Sequence, residues 1–500
     1  MRYVEGGRRS DTRMMQEVEL KLVLTADAAD QVARELPSDE ATRTTMLEAI
    51  YFDTPEQTLR KHGASLRIRR AGDTRIQTIK IDPAKGAGLF SRPEWERPVM
   101  DDRPRLDDTT PVFALLDGTT ERLAPAFTVS VERRSWEISE NGAEIELVLD
   151  RGMVRVGERQ SPVCEVEIEL KRGDPTALFT LARRIADMVP LRLGVVTKSE
   201  RGYGLTGPVR RAFKAEPVSL DGDATTIEAL RMVIGACLRH YRLNETILLE
   251  TRAPEALHQA RVALRRTRAA LGLFKRVLGR EQTAHFRSEL RWLAQTLGQA
   301  RDLDVLADMA AAKLGAGDVF DRIEAARGLA YDEVDVALES SRVRAVMLDL
   351  TQWLAVGDWS TADATREVRE APAREFAAAA LRKRRKALKI GAPSLALLTD
   401  DERHAIRKDA KTLRYATEFF ADLFADTAQQ KRQAKFVSTL ETLQDRLGTL
   451  NDAATVPAIL ARLGMEDNEA ALVDDRKHAK RLDRAAAAHS ALLDRKAFWR

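Results

Sequence analysis

The sequence predicts an α+β chain in two parts, a strand-rich domain followed by an all-helical one. Three observations carry this expectation. Many runs in the first part alternate polar with apolar residues at period two, the signature of half-buried strands. Residues 206–223 contain Gly207, Pro208, Pro217 and Gly222 and show no period, which marks a linker. Beyond it Ala, Leu, Arg and Glu dominate and the strand patterns vanish.

The elements follow in order. Residues 1–13 are polar, with Arg8, Arg9 and Asp11 where a secretory signal needs an apolar stretch, and are expected to be a disordered tail. The strand-rich domain is placed at 14–205. Its clearest strands are 17–21, 65–69, 75–81, 129–138, 143–149 and 163–170, interrupted by helices at 26–35 and, after Asp174, at 175–188. After the linker, Thr225 stands three residues ahead of Glu228, a capping box that announces the helical domain, 224–500.

Composition narrows the function. At 500 residues with 44% hydrophobic content, the chain can build more than one core. Its 81 basic and 77 acidic residues nearly cancel, so any site for a polyanion or a cation must come from local segregation of charge. Cys164 and Cys237 stand alone, in neither a disulfide framework nor a zinc pattern. No stretch approaches the ~20 apolar residues of a membrane span, so no membrane partner is expected, and a reducing cytoplasm is.

On a strand, residues two apart share a face. Glu17, Glu19 and Lys21 share one face of 17–21, opposite Val18 and Leu20. The pattern recurs in Arg67 and Arg69, in Glu94 and Glu96, in Glu146 and Asp150, and in Glu165, Glu167, Glu169 and Lys171. Lys80, Arg133 and Lys198 add positive charge. One such strand is most simply a solvated face. A closed sheet with all these charges inside survives only if it is wet, internally paired or filled by charged ligands. Carboxylates beside Lys and Arg suit a hard cation bridging to phosphate oxygens.

Glu17-Val-Glu19-Leu-Lys21 is similar to the Glu-x-Glu-x-Lys signature of the CYTH, or triphosphate tunnel metalloenzyme, family. Tyr51-Phe-Asp-Thr54, Gly63-Ala-Ser-Leu-Arg67-Ile-Arg69, Thr78-Ile-Lys80, Arg92-Pro-Glu94-Trp-Glu96, Glu165-Val-Glu167-Ile-Glu169 and Lys198-Ser-Glu-Arg201 follow in that family's order. The resemblance implies an antiparallel eight-stranded β-barrel, a tunnel that hydrolyses or cyclises triphosphates with Mg²⁺ or Mn²⁺. It implies phosphate binding by Lys21, Arg67, Arg69, Lys80, Arg133, Lys198 and Arg201. It implies metal-facing acids at Glu17, Glu19, Glu165, Glu167, Asp150, Glu94 and Glu96, with Glu17, Glu19 and Lys21 catalytic. Arg133 is chosen over Arg134 on strand register alone.

The helical part contains an internal echo. His258, Arg261, Arg265 and Arg268 line up with His404, Arg407, Lys411 and Arg414, with basic residues three, seven and ten positions after each His. These offsets share one helix face, and Phe274 and Phe420 also correspond. No acid lies between His258 and Arg268, so the usual i,i+4 pairing is missing there; Asp409 interrupts the second copy. The stripes resemble the CHAD family, which implies two pseudo-symmetric helical bundles that bind inorganic polyphosphate. Carried over, the contacts are His258, Arg261, Arg265, Arg268, His404, Arg407, Lys408, Lys411 and Arg414, flanked by Arg266 and Tyr415. Few aromatics accompany the stripes, which disfavours nucleic acid.

The expected function is therefore metal-dependent hydrolysis of inorganic triphosphate to pyrophosphate and phosphate, with polyphosphate bound by the helical domain and polyphosphate granules as an associated location. The alternatives are a non-catalytic polyphosphate-binding protein, and a tunnel enzyme acting on a nucleotide or thiamine triphosphate.

Overall fold

The computed structural model describes residues 13–36, 42–81, 86–315, 317–389, 395, 398–472 and 478–499. The expected tail lies outside these residues, except that Arg13 opens the first strand. Two compact units are present: one runs to Arg210 and takes in Met347–Val356, the other comprises Arg211–Val346 with the chain from Gly357 onward.

The first unit is built from β1 (Arg13–Val23), α1 (Ala26–Glu35), β2 (Arg43–Asp53), α2 (Thr58–Lys61), β3 (Ala64–Ala71), β4 (Thr74–Ile81), β5 (Leu89–Pro98), α3 (Pro111–Leu115), β6 (Ala124–Glu140), β7 (Ala143–Val156), β8 (Arg159–Arg172), α4 (Thr176–Met188), β9 (Arg192–Leu193) and α5 (Lys198–Leu205). The strands run in the order β5-β4-β3-β2-β6-β7-β8-β1, and β1 pairs back onto β5, so eight antiparallel strands close into a barrel. Closure leaves no free edge and divides every strand into inward and outward residues. The outward Leu20 and Leu22 of β1 are fully buried, as are Leu178, Leu181 and Ile185 of α4.

Along β6 the inward face changes character. Phe127, Val129 and Val131 form an apolar layer with Tyr51, Val154, Val163 and Tyr203 of α5, and only then comes Arg133. The barrel is therefore partly filled by α5 and its apolar bed, and the charged residues occupy what remains.

The second unit is helical: α6 (Thr226–Thr251), α7 (Pro254–Leu273), α8 (Arg280–Lys313), α9 (Asp318–Glu339), α10 (Ser341–Val356, whose C-terminal part falls in the first unit), α11 (Arg366–Glu370), α12 (Ala373–Lys389), α13 (Asp400–Phe419), α14 (Thr427–Arg462), α15 (Glu469–Leu472) and α16 (His478–Asp494). The echoed stripes lie on α7 and α13, each followed by a long helix, and Phe274 and Phe420 occupy the same C-cap position. These two rings meet edge to face at 6.0 Å, and Phe376 stacks on Phe274 at 4.8 Å, an aromatic seam between the copies. Residues 206–223 form no helix or strand, yet part of the stretch is folded onto α6. Asn244 accepts from Phe213 N–H at 2.9 Å and donates back to its carbonyl at 3.0 Å, and Val218 and Leu220 are buried.

Candidate functional site

β1 lies between β5 and β8, with Glu17 opposite Arg92, Glu19 opposite Glu169 and Lys21 opposite Glu167. Period-two alternation then turns all three signature residues inward. The lumen is a cavity of about 290 Å³. Of the residues expected there, Glu17, Glu19, Lys21, Arg67, Arg69, Lys80, Glu94, Glu96, Arg133, Glu167 and Lys198 line it. Asp150 and Glu165 sit against the lining, fully buried and bonded to Lys198. Arg201 is not among the lining residues; its guanidinium donates to Ser161 Oγ at 3.5 Å. Arg134 also points elsewhere, donating to Ala33 O at 2.8 Å.

The lining also holds Glu146, Glu169 and Lys171, which the strand faces had marked as charged without a site role, and Arg92, Tyr51, Ser65, Thr197 and Ser199, to which the sequence had assigned none. Arg92 stands two residues before Glu94, and Ser65 two before Arg67, so strict alternation would have found both. Thr197 and Ser199 enter from the start of α5, which no strand pattern reveals.

Opposite charges are knitted into two groups. In the first, Arg92 donates through Nε to Glu17 at 2.9 Å and through Nη2 to Glu19 at 2.7 Å, while Lys80 bonds Glu17 and lies 3.4 Å from Glu94. Burial opposes charge on Glu17, but Lys80 and Arg92 outweigh it and hold the carboxyl at about 2. Glu19 moves the other way, pushed up by burial and by Glu167. In the second group Lys198 reaches Asp150 at 2.7 Å, Glu165 at 2.6 Å and Glu167 at 2.9 Å. Lys21 bonds Glu165 at 3.0 Å and also Glu167, and Arg133 forks onto Asp150 at 2.8 and 2.6 Å. Burial works against both lysines, and the carboxylates more than compensate, so Lys21 and Lys198 are raised.

Arg67 and Arg69 are less committed. Arg67 donates to Tyr51 Oη at 3.4 Å, and Arg69 lies 3.8 Å from Glu96. Arg67, burial and Arg133 together push the Arg69 guanidinium down to about 10. Arg67 moves the opposite way, raised against its burial by Tyr51 and Glu94, and the pair differs from the rest of the lumen in how loosely it is held.

Asp150, Glu165 and Glu167 bring carboxylate oxygens within 4.8 Å of one another, a trio that could hold a metal ion. The second oxygen of Glu165 is buried without a hydrogen-bond partner. An all-carboxylate set with one orphaned oxygen fits a hard divalent cation such as Mg²⁺ or Mn²⁺. The other expected acids are apportioned differently: Glu17 and Glu19 to Arg92, Glu94 to Lys80, and Glu96 to Arg69 and the Thr78 hydroxyl.

In the helical unit the two stripes approach each other. Burial, then Arg301, Arg265, Arg261 and Lys411, drive His258 down to about 4, and Lys411 belongs to the second stripe. Arg261 donates to Ala294 O at 3.3 Å and packs against Gly298, where a Cβ would lie 2.4 Å from its Nη1. Arg268 is lowered by burial and by Arg291, Arg287 and Arg265. Arg287, Arg291 and Arg301 of α8 therefore extend the basic surface beyond the expected residues. In the second copy His404 Nδ1 lies 3.0 Å from Asn451 Oδ1 and Lys408 is exposed. Arg414 is drawn onto Glu418 at 2.7 Å and towards Glu441 at 3.8 Å. Arg266 is a core group rather than a surface contact: it is buried, pairs with Glu418 and stacks over Phe419 at 4.7 Å and Tyr415 at 5.5 Å.

Among the described residues, no helix is long and apolar enough to cross a membrane. An inorganic triphosphatase of Haemophilus influenzae is 30% identical over 203 residues, 38% of this chain and 55% of that protein, so the chain spans about half of that relative's length. An uncharacterized protein of Mycobacterium tuberculosis is 27% identical over 439 residues, 80% of each chain. The crystal structure of a CHAD domain from the plant Ricinus communis aligns with 56% of this chain and 97% of that one, at 28% identity and a TM-score of 0.48. The model of the CYTH domain matches residues 15–203 and that of the CHAD domain matches residues 232–461. The chain thus carries a CYTH domain, whose strands close the charged barrel, followed by a CHAD domain, which bears the paired basic stripes.

Proposed function

We propose that the barrel hydrolyses inorganic triphosphate with Mg²⁺ or Mn²⁺, and that the helical domain binds polyphosphate. The observation that carries the reading is the lumen itself, about 290 Å³ lined by both carboxylates and cations, with the guanidinia of Arg67 and Arg69 only loosely held. A triphosphate seated against these two guanidinia relieves their mutual repulsion. Lys21, Lys80, Arg133 and Lys198 are within the same cavity and turn from carboxylate to phosphate oxygens, neutralising charge as it spreads in the transition state. Asp150, Glu165 and Glu167 would hold the divalent ion, which supplies an activated water and further neutralises phosphate oxygens. Glu19, whose carboxyl burial and Glu167 push upward, is made the more basic for it, which is the direction a proton acceptor needs.

The lining favours an inorganic chain over a nucleotide or thiamine ester. Among the described lining residues Tyr51 is the one aromatic, and its ring is already stacked on Phe127 at 4.6 Å, with Arg67 donating to its hydroxyl. The helical domain would keep polymer ends near the barrel by tethering, which raises their effective concentration without new contacts at the lumen. Association with polyphosphate granules follows from the same reading.

The test is phosphate release by the full chain from tripolyphosphate, ATP, thiamine triphosphate and long-chain polyphosphate, with Mg²⁺, Mn²⁺ or EDTA. Release from tripolyphosphate well above ATP, abolished by EDTA and lost in Glu19→Ala, is expected. No release from any substrate, beside tight salt-sensitive polyphosphate binding, would make the chain a binding protein instead.

A further inference from the structure

The ammonium of Lys198 occupies the centre of the carboxylate trio. It is within 2.9 Å of one oxygen from each of Asp150, Glu165 and Glu167, and it is itself only 8% exposed. Its position is not accidental to the chain. Lys198 opens α5, where a capping box of Thr197 and Glu200 fixes the start of the helix. Gly202 lets α5 press onto β6, because a Cβ there would meet the Phe127 ring at 2.3 Å, and Tyr203 ties the helix down by donating to Asp53 at 2.6 Å. A rigid helix therefore delivers one cation into the trio best suited to another.

We propose that Lys198 is a tethered counter-ion that competes with the divalent metal for this trio, and that phosphate recruits the metal by drawing the ammonium away. The proposal rests on the reading of the trio as the metal site. Lys21 and Arg133 each bond two of the three carboxylates, but of these three cations Lys198 alone reaches all of them, so an ion entering among the oxygens takes the ammonium's own place and repels it where water screens little. Metal binding to the free barrel then has to displace Lys198. A phosphate oxygen offers the ammonium a new partner inside the same lumen and removes the competitor. By linkage the two ligands strengthen each other equally. Lys198 thereby does two things: with Lys21 and Arg133 it balances three buried carboxylates before the ligands arrive, and it makes metal loading depend on the anion.

The experiment is calorimetric titration of the full chain with Mn²⁺, with and without millimolar inorganic phosphate as the probe. In phosphate-free buffer Lys198→Met and Lys198→Gln are expected to bind Mn²⁺ about tenfold more tightly than wild type or better. Phosphate is expected to tighten Mn²⁺ binding in wild type and to have little effect in the variants. Folded variants with unchanged or weaker affinity would overturn the proposal. If neither variant folds, wild type decides, and an Mn²⁺ affinity indifferent to phosphate overturns it. Undetectable Mn²⁺ binding in every protein overturns it as well. The outcome is separable from hydrolysis: tighter Mn²⁺ binding without phosphate release would sink the triphosphatase and leave the competition standing, and the converse holds equally.

Discussion

Replacing Arg92 by Met tests whether the lumen's ion pairs hold the barrel together. The substitution keeps a long apolar stem and deletes the guanidinium that bridges Glu17 at 2.9 Å and Glu19 at 2.7 Å. All three side chains are at most 8% exposed, so the pair is a buried one. Breaking a buried pair by removing one partner costs ~3–5 kcal/mol. Lys80 remains on Glu17, which places the expected loss near ~3 kcal/mol, or a drop of roughly 6–12 °C in the barrel's Tm for a domain of this size. The pH dependence has a definite sign. The Glu17 carboxyl is held at about 2, below its ordinary 4.5, so its pairing stabilises the fold above pH 4.5 and is lost as pH falls through about 2. Without Arg92 both carboxyls rise and protonation relieves them, so the gap between variant and wild type should be widest near pH 7 and narrow on acidification. Scanning calorimetry of the full chain at neutral and acidic pH reads this, with the helical unit's transition as an internal reference. A shift of under ~2 °C at neutral pH, where ~3 kcal/mol predicts several degrees, would refute the argument, as would a gap that does not change with pH.

Four further outcomes follow from particular contacts. Among the described residues Arg67 makes no close ion pair and donates to Tyr51 at 3.4 Å, so Arg67→Met should leave thermal stability nearly unchanged while raising KM for triphosphate. Gly202→Ala forces α5 off the Phe127 ring, at ~1–3 kcal/mol of overpacking. It should cut kcat by up to ~100-fold through the misplaced Lys198, measured as metal-dependent phosphate release. Gly298→Ala should expel Arg261 and weaken polyphosphate binding in a filter or calorimetric assay, whereas Gly448→Ala, with open space at its Cβ, should not. His258, held near 4 in the free protein, should take up a proton when polyphosphate covers its cationic neighbours, so affinity should rise as pH falls below neutrality. Proton uptake is read from titration heats in buffers of different ionisation enthalpy.

Much of the fold was legible because alternation is a local property. Glu17, Glu19 and Lys21 must share a face of any strand, and the capping box at Thr225 must start a helix wherever it lies. β2 was harder to see: it reads Leu-Glu-Ala-Ile-Tyr-Phe without clean alternation, because its last residues are buried on both faces. In β5 the shared face of Glu94 and Glu96 was legible, but Pro93 masked the strand's full extent.

By itself the sequence determined which residues could face one another: the charged stripes of the strands, the duplicated basic stripes of the helices, and the division between the two. Only the tertiary structure decided which charges are already spent. Arg92 became a clamp for Glu17 and Glu19 because β5 closes onto β1, a contact that no local pattern encodes. Lys198 entered the carboxylate trio because Gly202 and Tyr203 seat a helix inside the barrel. Arg414, alike in sequence to Arg268, is drawn to Glu418 and Glu441, whereas Arg268 meets arginines. The reason is physical: side-chain periodicity is set by backbone geometry within a few residues, whereas electrostatic partners are set by which distant segments closure brings within a few ångströms.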